Sequence, residues 1–183
     1  MGIVAKGNSM TKILRIAGAF LIALVLLALA DQDFFYVGSS KCRACHRTGS
    51  QGRQYPIWEG SAHAKAFAGL TGPKAAAVAK SRNVADPATD ARCLDCHSPL
   101  AAAASGLKNE GVTCEACHGP GSTYRKLSVM KNREEAVKSG LTSFPNAAAI
   151  QARCLKCHQN THDKPFDFPA AWDKIKHAIP GKN

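Results

Sequence analysis

The chain has 183 residues and carries 24 Lys and Arg residues against 13 Asp and Glu residues, a formal net charge of +11. The basic residues are scattered and do not alternate with aromatic residues, so the charge does not indicate a nucleic-acid-binding surface. No carboxylate pair, Ser-His-Asp set or phosphate-binding loop stands out, which leaves the cysteine and histidine pattern to indicate function.

The N-terminal segment is typical of an export signal. Lys12 and Arg15 form a basic region, an apolar run over residues 16–30 follows, and its last three residues form a small-x-small cleavage site before Asp31. The run is short for a membrane span, which needs about 20 apolar residues.

We therefore predict a signal peptide over residues 1–30 and one domain over residues 31–183, which is a usual single-domain length. The domain is expected in the periplasm or outside the cell. The alternative is an uncleaved signal that anchors the domain to the membrane through residues 13–30.

Four Cys-x-x-Cys-His motifs together use every cysteine of the chain. A lone Cys-x-x-Cys is compatible with a zinc half-site, a redox dithiol or a disulfide. Histidine supplies only 7 of the 183 residues, so the chance that it follows all four pairs by accident is on the order of a few in a million. The motifs are CRACH (Cys42, Cys45, His46), CLDCH (Cys93, Cys96, His97), CEACH (Cys114, Cys117, His118) and CLKCH (Cys154, Cys157, His158).

Covalent attachment of c-type haem explains each part of the motif. Structural zinc would use the cysteine pairs two at a time, and a disulfide framework would have no use for the histidines. In c-type haem attachment both thiols bond the porphyrin vinyl groups, and the adjacent histidine becomes the proximal iron ligand. We therefore predict four covalently attached haems, and the export signal agrees because c-type haem is attached after export.

The charge balance fits the predicted haems. Without Lys6, Lys12 and Arg15 of the predicted signal, 21 basic residues remain against 13 acidic ones. The eight propionates of four haems would offset this surplus by simple summation of charge. The basic composition is therefore better explained by bound propionates than by a polyanionic partner.

The first helices are predicted between the first and second motifs. Residues 61–70 have a helical pattern of apolar positions. Residues 71–81 predict a second helix, with Thr71 as N-cap and Pro73 in the first turn. One face of the first helix would carry His63, Phe67 and Leu70.

Further helices flank the fourth motif. Residues 132–141 predict a helix that ends at Gly140, and residues 146–158 predict a helix that leads into the motif. No stretch shows a convincing strand alternation. The fold is predicted to be mainly α, with short helices and loops wrapped around four haems, little or no sheet, and porphyrin surface replacing part of the apolar core. The spacing of 16 residues between the second and third motifs predicts that their haems lie side by side.

The sixth iron ligands must come from a short set of side chains. Four of the seven histidines are proximal, which leaves three for four distal positions. At least one haem is therefore expected to be open or to take another ligand, for which a thioether is the candidate. The candidates are His63, His162, His177 and Met130.

Four stretches carry a resemblance to a known family. The segments YVGSSKCRACH, WEGSAHAKAF, GVTCEACHGPGS and FDFPAAWDKIKH resemble the small multihaem cytochromes related to the tetrahaem cytochrome c554 of nitrifying bacteria. The resemblance implies a helical, periplasmic protein with four haems. It also implies that stacked haems pass electrons between an oxidoreductase and downstream carriers.

The resemblance also suggests ligands. It implies that His63, within a Trp-x4-His-Ala pattern that starts at Trp58, and His177 are distal ligands. It further implies a five-coordinate iron at the second motif, that of His97. The chain departs from the family in being shorter at the C-terminus and in having no histidine after CHGPG, where Met130 lies nearby.

The function that follows is electron transfer between respiratory redox partners through closely packed haems. The predicted partners are an oxidoreductase or a quinone-linked membrane complex, and downstream cytochromes. The alternatives are a reductase of nitric oxide or another small nitrogen species at one open iron, and a haem-filament subunit completed by a neighbouring chain. The other predicted binding partners are a membrane surface and further copies of the chain, in an oligomer or a filament.

Overall fold

The computed structural model describes Arg15, residues 34–159 and residues 165–178. The chain divides into two compact units, residues 1–33 and residues 34–183. The predicted signal peptide, its cleavage site and the alternative anchor lie outside the described residues apart from Arg15, and so does His162. Within the described part of the chain, no helix is both long and apolar enough to cross a membrane.

The second unit is built from short helices, and its described residues contain no strand, as the sequence predicts. The 3-10 segments Gly49–Gln51, Ala68–Leu70 and Ser105–Glu110 lie between them. The α-helices are α1 (Ser40–His46), α2 (Gln54–Gly60), α3 (Pro73–Ser81), α4 (Ala91–His97), α5 (Cys114–His118), α6 (Leu127–Met130), α7 (Arg133–Lys138), α8 (Ala147–Cys154) and α9 (Phe168–Ile175).

The attachment motifs sit at helix ends. Helices α1, α4 and α5 each end at the histidine of a motif, whereas α8 ends at Cys154 and the rest of the fourth motif continues in turns. Side-chain N-caps start the helices of the second, third and fourth motifs, because Asp90, Thr113 and Asn146 each accept a bond from a backbone N–H of the first turn.

Residues 61–70 do not form the predicted α-helix. They form a series of turns that ends in the 3-10 segment Ala68–Leu70. The carbonyl of His63 accepts a bond from the Val112 N–H at 3.0 Å, and the carbonyl of Ala66 lies 2.9 Å from the His97 Nδ1. An α-helix would use both carbonyls internally, so these tertiary bonds override the helical pattern.

The other predicted helices are present, with one corrected cap. Helix α3 starts after Gly72 with Pro73 in its first turn, whereas the Thr71 hydroxyl donates back to the Ala68 carbonyl and does not cap α3. Helix α7 ends at Lys138, two residues before the predicted Gly140. The φ of +100° at Gly140 allows the N–H groups of Gly140 and Leu141 to bond the α7 carbonyls of Val137 and Ala136.

The apolar core is small, as the predicted haem scaffold requires. Only a few apolar side chains of the described residues are buried, and several buried side chains are polar. The buried apolar residues are Leu70, Ala79, Val84, Leu100, Ala116, Tyr124 and Ala136.

Candidate haem-attachment sites

None of the eight cysteines forms a disulfide, and the fold brings the thiols of different motifs together. The thiols of Cys42 and Cys114 interact, which raises the pKa of Cys42 and lowers that of Cys114. Burial, followed by the neighbouring Cys157, raises the pKa of Cys96 to about 11. The first motif therefore touches the third, and the second motif touches the fourth.

An electrostatic interaction places the third motif near the fourth. Burial raises the pKa of Cys117, while the nearby Arg153 lowers it and Cys154 raises it further. The third motif is therefore a neighbour of the fourth. Among the described residues, these thiol interactions place the second motif next to the fourth, the fourth near the third and the third next to the first. They do not test whether the haems of the second and third motifs lie side by side, which stays a prediction.

Two pairs of histidine rings lie close together, with their planes tilted by 53° in one pair and 41° in the other. The ring centres of His63 and His158 lie 6.1 Å apart, and those of His118 and His177 lie 5.8 Å apart. Each pair joins the histidine of a motif to one of the predicted distal histidines. The fold brings His63 to the fourth motif and His177 to the third, although both pairs are far apart in the sequence.

The spacing of both pairs fits two ligands on opposite sides of one iron. An imidazole nitrogen binds a first-row metal ion at about 2.0 Å and its ring centre lies about 1.1 Å further out, so two opposed rings are about 6.2 Å apart. Burial also keeps these rings neutral, as metal ligation requires. Burial, followed by nearby His177 and His46, lowers the pKa of His118 to about 4.

The other three rings of the two pairs behave in the same way. Burial lowers the pKa of His63, of His158 and of His177, and for His63 the nearby His158 adds to the effect. The Nδ1 atom of His177 is buried and has no hydrogen-bond partner. A buried polar atom without a partner is costly, so this ring is placed for something other than hydrogen bonding within the chain. The residues present therefore fit a haem iron at both ring pairs.

The histidines of the first and second motifs are each held through Nδ1. The Nδ1 of His97 lies 2.9 Å from the Ala66 carbonyl, and the Nδ1 of His46 lies 3.2 Å from the Gln54 Oε1. Bonds of this kind orient a ligating imidazole and leave its other nitrogen available for the metal. In the described part of the chain, no second histidine ring is paired with that of His46.

A cavity of about 630 Å³ adjoins His177. Its lining is partly basic, through Arg53 and Lys176, and partly apolar, through Ile57 and Trp172. A cavity with both kinds of lining suits a group that is apolar with charged acidic substituents, as a haem with its propionates is.

Sequence reasoning missed a buried carboxylate inside the third motif. Glu115 is 1% exposed, and its two oxygens accept bonds from the N–H groups of Val37 (3.0 Å), Gly38 (2.8 Å) and Gly121 (2.6 Å). Through these hydrogen bonds, Glu115 connects Val37 and Gly38, which precede the first motif, to Gly121, which follows the third motif. Nothing in the CEACH pattern distinguishes this Glu from an exposed residue.

Ser39 extends this connection. Its N–H donates to the Glu110 carboxylate at 2.8 Å, and its hydroxyl accepts from the Cys114 N–H at 3.2 Å. Phe35 and Ser122 exchange two further bonds. The contact between Cys42 and Cys114 therefore rests on hydrogen bonds between residues 35–39 and residues 110–122.

Met130 ends α6 and is half-buried. No contact in the structure assigns it to an iron, so its ligation stays a prediction. No group of three or more His, Cys, Asp or Glu side chains in the described ranges is arranged to hold a single metal ion.

The chain is similar to cytochromes of the c554 type in two comparisons with known proteins. The profile of the family described as "Cytochrome c554 and c-prime" matches residues 41–119, which hold the first three motifs. A cytochrome c-554 of Nitrosomonas europaea is 29% identical over 175 residues, covering 85% of this chain and 72% of its own length. No solved structure matches the chain significantly.

Proposed function

We propose that this chain, a c554-like c-type cytochrome with covalently bound haem, is an exported electron carrier with four haems. The observation that carries the proposal is the spacing of two pairs of histidine rings, His63 with His158 and His118 with His177. A haem iron supplies reversible one-electron exchange when bound. Each of these ring pairs would hold one iron with two histidines, which would favour electron transfer over substrate binding.

The number of haems rests on the motifs. Each of the four has two thiols for attachment and a histidine for the iron, and no cysteine is left over. The thiol contacts connect the motifs in the order second, fourth, third, first. Groups attached at these motifs would be neighbours in the same order, which supports a path through the protein with the first and second motifs at its ends.

Mass spectrometry of the protein purified from an exporting host tests the haem number and the export signal. The expected mass is that of residues 31–183 plus four haems. A mass with free thiols or with bound zinc would contradict haem attachment. A mass that still includes residues 13–30 would support the anchor instead of the cleaved signal.

We further propose that an acidic redox protein docks at the first motif. Residues 41–53 contain four exposed cations and no acidic residue, and Cys45 is itself exposed. The second motif differs, since its surroundings are mixed in charge: Asp86, Asp90 and Asp95 lie around it with Arg82 and Arg92, and Arg92 forms an ion pair with Asp90. Because charge complementarity raises association rates, the two ends of the path would recognise different partners. The cations are Lys41, Arg43, Arg47 and Arg53.

Stopped-flow oxidation of the reduced protein by the anion ferricyanide tests this surface. The double variant Lys41→Gln with Arg47→Gln removes two of the four cations. At low ionic strength we expect its oxidation rate to fall by at least about threefold. The control Lys131→Gln with Lys138→Gln removes the same charge from exposed positions beside α6 and in α7. If both double variants lost the same fraction of the rate, the effect would come from net charge alone, and the result would contradict a docking surface at the first motif.

A second candidate function is binding and reduction of a small nitrogen species at one iron. The observation that favours it is the ring of His46, which has no paired histidine ring among the residues that the structure describes. The family resemblance would place an open iron at His97, so the two lines of reasoning point to different motifs. Binding of carbon monoxide tests whether any iron is open.

A further inference from the structure

The side chain of Gln54 bridges two ligand segments. Its Oε1 lies 3.2 Å from the Nδ1 of His46, and its Nε2 donates to the carbonyl of Ala178 at 2.9 Å. Gln54 is the first residue of α2, and His46 is the last residue of α1. Ala178 follows His177 directly, so one amide connects the first motif to the distal histidine of the third.

The chemistry of the two partners fixes the orientation of this amide. A backbone carbonyl can only accept a hydrogen bond, so the NH2 group of Gln54 must face Ala178. The amide oxygen must then face His46, and an oxygen acceptor requires a proton on Nδ1. The Nε2 of His46 is thereby left with its lone pair free to bind a metal.

We propose that Gln54 is a positioning residue that fixes the tautomer and basicity of His46 and so sets the reduction potential of the haem at the first motif. A partner that accepts the second N–H of a ligating histidine raises the basicity of the ligand and usually changes affinity or activity by about 10- to 100-fold when removed. A more basic ligand favours ferric over ferrous iron.

The local backbone is shaped for this bridge. Gly52 has a φ of +90°, and a Cβ at this position would lie 2.7 Å from both the Ala178 oxygen and the Gln54 Nε2. Because Gly52 has no side chain, the Gln54 amide has room to reach the Ala178 carbonyl. His97 differs, because its Nδ1 partner is the backbone carbonyl of Ala66, which no side-chain change removes.

Potentiometric titration of the full-length haem protein tests the proposal with two variants. Neither Glu nor Leu at position 54 can donate to Ala178, so both variants lose that bond equally. Gln54→Glu places a carboxylate against the Nδ1–H, and Gln54→Leu removes the acceptor. We expect one of the one-electron steps to shift in opposite directions, downwards for Gln54→Glu and upwards for Gln54→Leu. The expected shift is about tenfold in the ferric-to-ferrous ratio at fixed ambient potential, or about 59 mV for one electron.

The controls are Gln51→Glu and Gln51→Leu, at an exposed glutamine three residues earlier. A purely structural role for Gln54 predicts shifts of the same sign in both Gln54 variants, and that result would overturn the proposal. So would shifts no larger than those of the Gln51 pair. If Gln54→Leu does not accumulate, the nearly isosteric Gln54→Glu decides alone, since an unchanged or raised potential contradicts the proposal.

The inference rests on the proposed function only in requiring a haem at the first motif. Mass spectrometry of a chymotryptic peptide containing Cys42 and Cys45 establishes that haem separately, since no aromatic residue lies between the two cysteines. If that peptide carries haem and the potential does not respond, the role of Gln54 fails while the proposed function stands. If the peptide carries none, the haem assignment itself fails.

Discussion

The Glu115 side chain accepts hydrogen bonds from three backbone N–H groups outside its own motif. Three backbone N–H groups converge on its buried carboxylate, from Val37, Gly38 and Gly121. Burying a carboxylate is unfavourable unless its oxygens are hydrogen-bonded, and these three donors satisfy them. One residue thus stabilises the contact between the first and third motifs.

We expect Glu115→Gln to lower the free energy of unfolding by about 2–4 kcal/mol, because an NH2 group then faces N–H donors that lose their acceptor. Denaturant unfolding followed by far-ultraviolet circular dichroism measures the change. The control Glu134→Gln alters an exposed residue in the first turn of α7 and should cost no more than about 0.5 kcal/mol. Similar losses in the two variants would show that the bonds to Glu115 contribute little.

The ring of His63 lies 6.1 Å from that of His158, so we predict that His63 is the distal ligand at the fourth motif. Its replacement in His63→Ala should convert one low-spin haem to high spin and raise the potential of that haem, because loss of an imidazole donor destabilises ferric iron. Electron paramagnetic resonance of the oxidised protein measures the spin state. Lys65→Ala, at an exposed position of the same turn, should leave the spectrum unchanged. An unaltered spectrum in His63→Ala would make His63 a packing residue.

At the scale of elements, local sequence rules locate three of the nine α-helices of the described residues, α3, α7 and α8, but not their tertiary partners. The cap residues Asn132 and Asn146 and the terminating Gly140 act within a few residues, so α7 and α8 follow from the sequence. Residues 61–70 behave differently because carbonyls in this segment bond to Val112 and His97. Those partners are distant in the sequence, and no periodicity within the segment reveals them.

The turn before α1 provides a test at this scale. Gly38 has a φ of +87°, and a Cβ there would lie 2.8 Å from the Glu110 Oε1 and 2.9 Å from the Leu107 Cδ2. Gly38→Ala should therefore lower the free energy of unfolding by about 2 kcal/mol or more, through left-handed strain and displacement of the Glu110 carboxylate.

Gly60→Ala is the matched control for Gly38→Ala, since Gly60 is helical and a Cβ added there would meet no atom within 4 Å. Alanine there should be neutral or slightly stabilising, by up to about 1 kcal/mol. Thermal unfolding of both variants separates the two effects. A Gly38→Ala protein as stable as the Gly60→Ala protein would contradict the crowding at Gly38.

At the scale of the whole molecule, the supply of distal ligands determines what each iron can do. His63 and His177 face His158 and His118, and among the described residues no ring is paired with His46. We expect the reduced protein to bind about one equivalent of carbon monoxide, because three spare histidines cannot complete four irons. A spectrophotometric titration measures the stoichiometry.

Two variants give this titration its controls. His63→Ala should add a second equivalent of carbon monoxide, since it opens another iron. Met130→Ala should leave the single equivalent unchanged. Binding that appears only in Met130→Ala would instead assign Met130 as the sixth ligand and would count against reduction chemistry at an open haem.

The sequence by itself determined the cofactor chemistry and the mainly helical fold, because a Cys-x-x-Cys-His motif and a helix cap each act over a few neighbouring residues. It also restricted the distal ligands to His63, His162, His177 and Met130. Only the tertiary structure decided which rings face each other and which motifs touch. The thiols of Cys42 and Cys114 meet through the hydrogen bonds of Glu115 and Ser39, and such non-local contacts leave no periodic trace in the chain.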